Sequence, residues 1–316
     1  MHLSRGGSRP YRQLMFGQVL LGVAGNSAVR TAVTRSRSTR AVVSRFIAGD
    51  DDRAALAAVT ALHGDGLRVT LDFLGEDITE ARQAEQTLAG YRLVADRLAG
   101  AGLAEGNELS VKLSALGQSL GPDGPRAATG RAFELVAYAA ARGIDVTLDM
   151  EDHTTTDHTL ATLRELRGDF PRVGCVLQAM LHRTEADARD LAGAGSRVRL
   201  VKGAYAEPAT VAYPRKADVD LAYVRCLRIL AEGAGYPMVA THDQRMIRIA
   251  EQLLTGAGEF QMLYGIRAAE QRRLVAAGRT VRVYVPYGTD WYGYFSRRLA
   301  ERPANLAFLA RSLLTR

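Results

Sequence analysis

From residue 67 to residue 285 the chain repeats one hydropathic theme. A short run rich in β-branched and aliphatic residues closes on a polar or charged residue, and a longer stretch with apolar positions every three or four residues follows. The runs are residues 67–72 (LRVTLD), 109–114 (LSVKLS), 144–149 (IDVTLD), 173–178 (VGCVLQ), 197–202 (RVRLVK), 237–242 (PMVATH), 260–263 (FQML) and 281–285 (VRVYV). Runs of this length predict strands, and segments such as 84–98 (AEQTLAGYRLVADRL) and 219–230 (VDLAYVRCLRIL) predict amphipathic helices long enough to return the chain to a parallel neighbour. Eight strand-helix repeats predict an α/β fold, a (β/α)8 TIM-type barrel. The rival open doubly wound sheet lacks its usual support, because no run leads into a G-x-G-x-x-G turn.

Arg197 and Arg199 alternate with Val198 and Leu200. In a closed barrel such alternation separates lumen-facing from helix-facing positions, so a polar lumen and a ligand are expected. The Gly/Pro-rich patches at 117–125 and 208–214 are loop-sized. The expected organisation is a helical, arginine-rich lead-in over residues 1–50 and one catalytic barrel over 51–316.

Composition narrows this picture. With 47% hydrophobic and 24% charged residues the 316-residue chain is globular rather than disordered. The net charge of +7 and pI near 9.6 come from scattered arginines interrupted by acidic residues. That pattern predicts no nucleic-acid partner but a weakly basic surface suited to an anionic membrane face. Residues 14–25 (LMFGQVLLGVAG) are too short to span a bilayer, Gln18 interrupts them, and Arg30, Arg35, Arg37 and Arg40 follow, so an amphipathic helix is expected rather than a leader or anchor. Cys175 and Cys226 lie in apolar runs without CxxC or metal spacing and are read as reduced, buried and cytosolic. Only Lys112, Lys202 and Lys216 are lysines among 41 basic residues, so each lysine calls for a reason.

In barrels of this kind chemistry gathers at the C-terminal ends of the strands. Those ends carry Asp72 and Glu76, Lys112, Asp149 and Met150, Gln178, Arg199 and Lys202, Thr241 and His242, and Tyr284 and Tyr287. Each has a plainer reading: Asp72 and Asp149 as helix caps, Lys112 as a solvated cation, His242 with Asp243 as a structural pair, Tyr284 as lumen filler. In 294–302 (YFSRRLAER), a helix would bring Tyr294, Arg297, Arg298 and Glu301 onto one broad face, which either holds a small anion or is simply solvated. Taken together, Lys112, Arg199, Lys202, Arg297 and Arg298 predict a surplus of positive charge and an anionic guest, a carboxylate or a phosphate. Gly203 and Ala204 would admit a planar or phosphorylated ligand, with Tyr205 as a stacking face. A metal-dependent hydrolase or aldolase using 149–153 (DMEDH) with His242 and Asp243 is the alternative.

The elements 71–76 (LDFLGE), 110–117 (SVKLSALG), 147–152 (TLDMED), 199–205 (RLVKGAY), 240–243 (ATHD), 260–265 (FQMLYG) and Tyr284 through 297–301 (RRLAE) resemble, in order, those of the proline dehydrogenases. These are FAD-dependent (β/α)8 barrels, and the likeness is to the short monofunctional bacterial form. The resemblance implies oxidation of L-proline, FAD as cofactor, a membrane quinone as electron acceptor, and a cytoplasmic protein associated peripherally with the inner face of the cell membrane. It implies that Lys112, Arg297 and Arg298 grip the proline carboxylate while Tyr284 and Tyr294 enclose the ring. Asp149 would orient the cations, and Arg199 would stand at the flavin N5, so that Arg199, Asp149 and Tyr284 are the implied catalytic residues. Met150, Gln178, Val201, Lys202, Gly203, Ala204, Thr241 and His242 are the other implied FAD contacts, and Glu76 the gate that pairs with Arg297. Tyr284 implies proline rather than hydroxyproline. Met180 and Ala206 depart from the family pattern, which bears on packing around the flavin.

Overall fold

The eight runs form eight parallel strands closed into a single barrel in chain order. The computed structural model describes residues 43–76 and 78–295. Residues 1–42 of the expected 1–50 lead-in, and Arg297, Arg298 and Glu301, lie outside the described residues. The order is α1 (Asp52–Gly64), β1 (Arg68–Phe73), α2 (Ala81–Gly100), β2 (Glu108–Val111), α3 (Gly124–Ala140), β3 (Asp145–Leu148), α4 (Thr156–Asp169), β4 (Gly174–Gln178), α5 (Thr184–Asp190), β5 (Arg197–Val201), α6 (Lys216–Glu232), β6 (Tyr236–Ala240), α7 (Gln244–Leu253), β7 (Glu259–Leu263), α8 (Ala268–Ala276) and β8 (Val281–Tyr287).

Local signals explain the elements. The Asp51 carboxylate caps α1 by accepting from Ala54 N at 2.9 Å, and Gln83 Oε1 accepts from Glu80 N at 2.9 Å at the start of α2. Ala84, Leu88, Tyr91, Ala95 and Leu98 recur at helical spacing and give α2 its buried face. Four strands, β2, β3, β5 and β6, end short of their predicted runs. A 3-10 turn (Ser114–Leu116) closed by Gly117 at φ 98° folds the chain away after β2. Lys112, Thr241 and His242 therefore stand on turns just past the strands.

Strand register keeps like faces together: Thr70 lies opposite both Glu108 and Tyr284, Ser110 opposite Thr147, Val176 opposite Arg199, and Gln261 opposite Arg282. One face, with Leu71, Val111, Leu148, Leu177, Leu200 and Val283, packs into the main apolar core beneath the helices. The other face fills the lumen with charge. Glu108, Glu259, Arg197, Arg199 and Arg282 are all buried there.

Burying them is tolerable only because their polar atoms are met. Arg282 is bidentate to Glu259, Nε to Oε1 at 2.6 Å and Nη2 to Oε2 at 3.1 Å, and its Nη1 donates to the carbonyls of Val69 and Gly106 at 3.0 Å. Glu108 receives Thr70 Oγ1 and Arg199 Nη2 on Oε1 at 2.6 and 2.5 Å. Its Oε2 receives Thr147 Oγ1 and Arg197 Nη2 at 3.0 and 2.7 Å. Burial would raise the Glu108 pKa, but Arg282, Arg197 and Arg199 outweigh it and hold the carboxyl well below the usual carboxylate range.

α1 packs against β1, β8 and α2, taking the place in the helix ring that a helix after β8 would otherwise fill. The chain leaving β8 instead crosses the mouth. There Trp291, Tyr292, Tyr294 and Phe295 form a second apolar cluster with Val43, Phe46, Ile47 and Leu74. Ala48 N donates to Pro286 O, and Gly288 N to Gly49 O, each at 2.9 Å, which ties the two segments together.

Arg282→Met leaves Glu259 buried without its bidentate partner. Urea unfolding should show a loss of about 3–5 kcal/mol, much of it recovered by adding Glu259→Leu.

Candidate active site

The last turns of the strands bring Lys112, Asp149, Arg199 and Tyr284 into direct contact. Tyr284 Oη donates to Asp149 Oδ2 at 2.7 Å, Ser110 Oγ donates to Asp149 Oδ1 at 2.6 Å, and Arg199 Nη1 donates to the same Oδ1 at 2.7 Å. Arg199 Nη1 also reaches Ser110 Oγ at 2.9 Å, and its guanidinium lies 5.4 Å from the centroid of the Tyr284 ring. Tyr91 Oη, from the buried face of α2, donates to Ser110 O at 2.5 Å and so braces this strand end.

Lys112 Nζ sits among three carboxylates, 3.3 Å from Asp72, 3.3 Å from Glu76 and 3.4 Å from Asp149. Burial alone would lower the lysine's pKa, but Asp72, Tyr284, Glu76 and Asp149 outweigh it and hold the ammonium charged well above its usual range. Asp149 is pulled down against burial by Lys112 and Arg199. Asp72 is pushed up, because burial and the neighbouring carboxylates exceed the pull of Lys112. Around Lys112, then, carboxylates outnumber the one lysine; the expected cationic surplus also counts Arg297 and Arg298, which lie outside the described residues.

Among the described residues a surplus of cations lies on the β5–β6 side of the mouth. Lys202 Nζ bonds Asp220 Oδ1 at 2.5 Å and Asp243 Oδ2 at 2.8 Å, Lys216 bonds Asp220 at 2.7 Å, and Arg245 bonds it at 3.1 Å. Three cations thus share two carboxylates.

Between the two clusters opens a cavity of about 410 Å³. Lys112, Asp149, Arg199, Tyr284 and Tyr294 line one part of it. Met150, Gln178, Val201, Lys202, Gly203 and Ala204 line another, with Thr241 and His242 completing the wall. Glu76 contributes through Lys112 rather than as lining. The described site residues therefore converge on one space.

Several plainer readings fail on contacts. Asp72 and Asp149 face Lys112 instead of capping helices, whereas Asp243 caps α7 by accepting from Arg245 N at 3.0 Å. His242, by contrast, keeps a structural contact, its ring Nε2 accepting from Leu263 N at 3.0 Å. Gly203 lines the cavity, but the side on which a Cβ would stand is closed: it would meet Met180 Sδ at 2.4 Å, at a φ of 108°. Met180 fills that space, and Tyr205 packs with Met180, Leu181 and Ala212. The metal reading lacks a donor set. Among the described residues no group of three or more His, Cys, Asp or Glu side chains is placed to hold a metal ion, and His153 Nδ1 is committed to Glu207.

Glu108, Ser110, Lys216, Asp220 and Arg245 were missed from sequence. Glu108 stands just outside the predicted second run, and Lys216, one of only three lysines, was the legible sign of the mouth cluster.

The family model "Proline dehydrogenase" matches residues 55–311. A proline dehydrogenase of Deinococcus radiodurans is 42% identical over 281 residues, covering 86% of this chain and 90% of its own length. Proline dehydrogenase 1 of Bacillus subtilis strain 168 is 37% identical over 306 residues, covering 95% of this chain and 99% of its own. Among solved structures, proline utilization A of Bdellovibrio bacteriovorus, inactivated by N-propargylglycine, superposes with a TM-score of 0.78 at 24% identity, over 92% of this chain but 37% of that one. A proline utilization A mutant of Bradyrhizobium japonicum gives a TM-score of 0.69 at 24% identity, over 85% of this chain and 32% of that one. At that identity the structures speak to the fold, which they share.

Asp243 provides a pH test of the mouth cluster. Burial acts against its charge, but hydrogen bonds from Lys202 and Arg245 N, with the charges of Lys202 and Lys216, hold its pKa down to about 2. A folded value below the unfolded one, roughly 3.9, gives stability that is present above the unfolded value and lost as pH falls through the folded one. Asp243→Asn should lower Tm at pH 7, and the difference from the parent should shrink between about pH 4 and pH 2. A difference independent of pH would count against these contacts.

Proposed function

This chain belongs to the proline dehydrogenase family, and on that premise we propose that it oxidises L-proline to Δ1-pyrroline-5-carboxylate with FAD as cofactor. The observation that carries the reading is the meeting of Lys112, Asp149, Arg199 and Tyr284 at one cavity in the barrel mouth.

The residues present fit FAD on two counts. Arg199 lines the cavity, and its Nε is buried without a hydrogen-bond partner among the described residues, so the guanidinium keeps a donor unmet. The three cations around Asp220 and Asp243 offer charge for phosphates. Arg199, Lys202, Thr241 and His242, with Met150, Gln178, Val201, Gly203 and Ala204, are the residues that would hold it. When bound, FAD accepts the hydride that leaves proline C5 as the amine proton departs and the C=N bond forms.

The chain's own work is positioning. Lys112, joined by Arg297 and Arg298, binds the substrate carboxylate, while Tyr284 and Tyr294 enclose the ring. Asp149 holds both Tyr284 Oη and Arg199 Nη1, so the ring's wall and the cation are set by one carboxylate. Glu76, 3.3 Å from Lys112, is the gate: it gives up Lys112 to the substrate carboxylate and pairs with Arg297.

Electrons pass on to a membrane quinone. Among the described residues no helix is long and apolar enough to cross a membrane. The net charge of +7 and two free buried cysteines support a cytoplasmic protein lying peripherally on the inner membrane face, with residues 51–316 as the catalytic unit and 1–50 as a lead-in.

The purified protein should show a flavin absorption spectrum that bleaches when L-proline is added anaerobically. A colourless, chelator-sensitive enzyme would overturn the reading. Arg297→Met and Arg298→Met should each raise the proline KM by roughly tenfold to a hundredfold, the value of a charge-assisted hydrogen bond, with a smaller effect on kcat. Proline should exceed hydroxyproline in kcat/KM.

A further inference from the structure

Arg199 reaches the cavity from β5, but its orientation is decided beneath the cavity. Nη1 is held by Ser110 Oγ and Asp149 Oδ1, and Nη2 by Glu108 Oε1 at 2.5 Å. With both terminal nitrogens held, the guanidinium plane is fixed, while Nε is buried without a hydrogen-bond partner among the described residues. Glu108 is well suited to the task. It is fully buried on β2, and Thr70 on β1 and Thr147 on β3 donate one to each of its oxygens, while Arg197 occupies the oxygen not facing Arg199. The carboxylate is therefore held from both neighbouring strands before it meets Arg199 across the lumen. It does not line the cavity.

We infer that Glu108 is a positioning residue for the redox step: it holds the guanidinium of Arg199 at the cavity wall, against the bound flavin. The inference rests on Arg199 standing against FAD. A cation so placed favours the electron-rich reduced cofactor and raises its reduction potential.

Position and charge have opposite signs here, which makes the inference testable. If Glu108 merely counterbalances Arg199, removing its charge exposes the cation more strongly and raises the flavin potential. If Glu108 orients Arg199, removing the carboxylate loosens the guanidinium and lowers the potential. The midpoint potential of the FAD-loaded protein is measured by anaerobic reductive titration against a reference dye.

For Glu108→Gln the expected result is a fall corresponding to roughly tenfold in the redox equilibrium, about 30 mV for a two-electron couple, with kcat falling more than the proline KM rises. In an Arg199→Gln background the same substitution should produce no further fall. An unchanged or raised potential, or an equal fall in both backgrounds, overturns the inference. Thr70→Val removes the hydroxyl from the same Oε1 and leaves the charge in place. It carries the test if Glu108→Gln does not fold, with a smaller fall expected and an unchanged potential overturning. Arg199→Gln alone separates the two levels. If it leaves the potential where it was, the placement of Arg199 at the flavin fails. If it lowers the potential and Glu108→Gln does not, only the role of Glu108 fails.

Discussion

At the centre of the barrel one carboxylate meets two guanidinia and two threonine hydroxyls, and the arrangement above it depends on that meeting. Most of a (β/α)8 lumen is normally filled by branched aliphatic side chains. This one carries Glu108, Glu259, Arg197, Arg199 and Arg282 instead. Inside a closed sheet there is little water to solvate a charge, so each must find its counterpart at the right register or the barrel cannot close. Parallel pairing that keeps like faces in line supplies that register. The arginines from β5 then meet the glutamate from β2 across the lumen.

The same constraint divides the mouth into two electrostatic halves. On the β1–β3 side carboxylates outnumber the one lysine, which keeps Lys112 charged. On the β5–β6 side cations outnumber carboxylates. A ligand with phosphates at one end, lying across this division, would meet its matching field along its length. Arg199 stands between the halves and is tied to both Glu108 and Asp149.

Much of this was legible in the chain. All eight strands lie at their predicted runs, because alternation and length are local properties that closure of the barrel preserves. The strand-end residues from Lys112 to Tyr294 line one cavity because the fold brings those ends together. The balance of charge at each place was not legible. Glu108 lies just outside the predicted second run, and Asp220 belongs to a helix whose contact with Lys202 is tertiary. The packing of Met180 over Gly203 was equally hidden, since the positive φ of a glycine can serve an open approach or a close side chain.

The chain has three lysines, and all of them stand around the barrel mouth: Lys112 at its floor with a side chain 10% accessible, Lys202 at 22%, and Lys216 on the rim at 69%. Side-chain amine chemistry is thereby confined to the entrance. Acylating probes and crosslinkers that decorate most proteins all over would act here as a depth gauge for the opening, marking the rim first and the floor last.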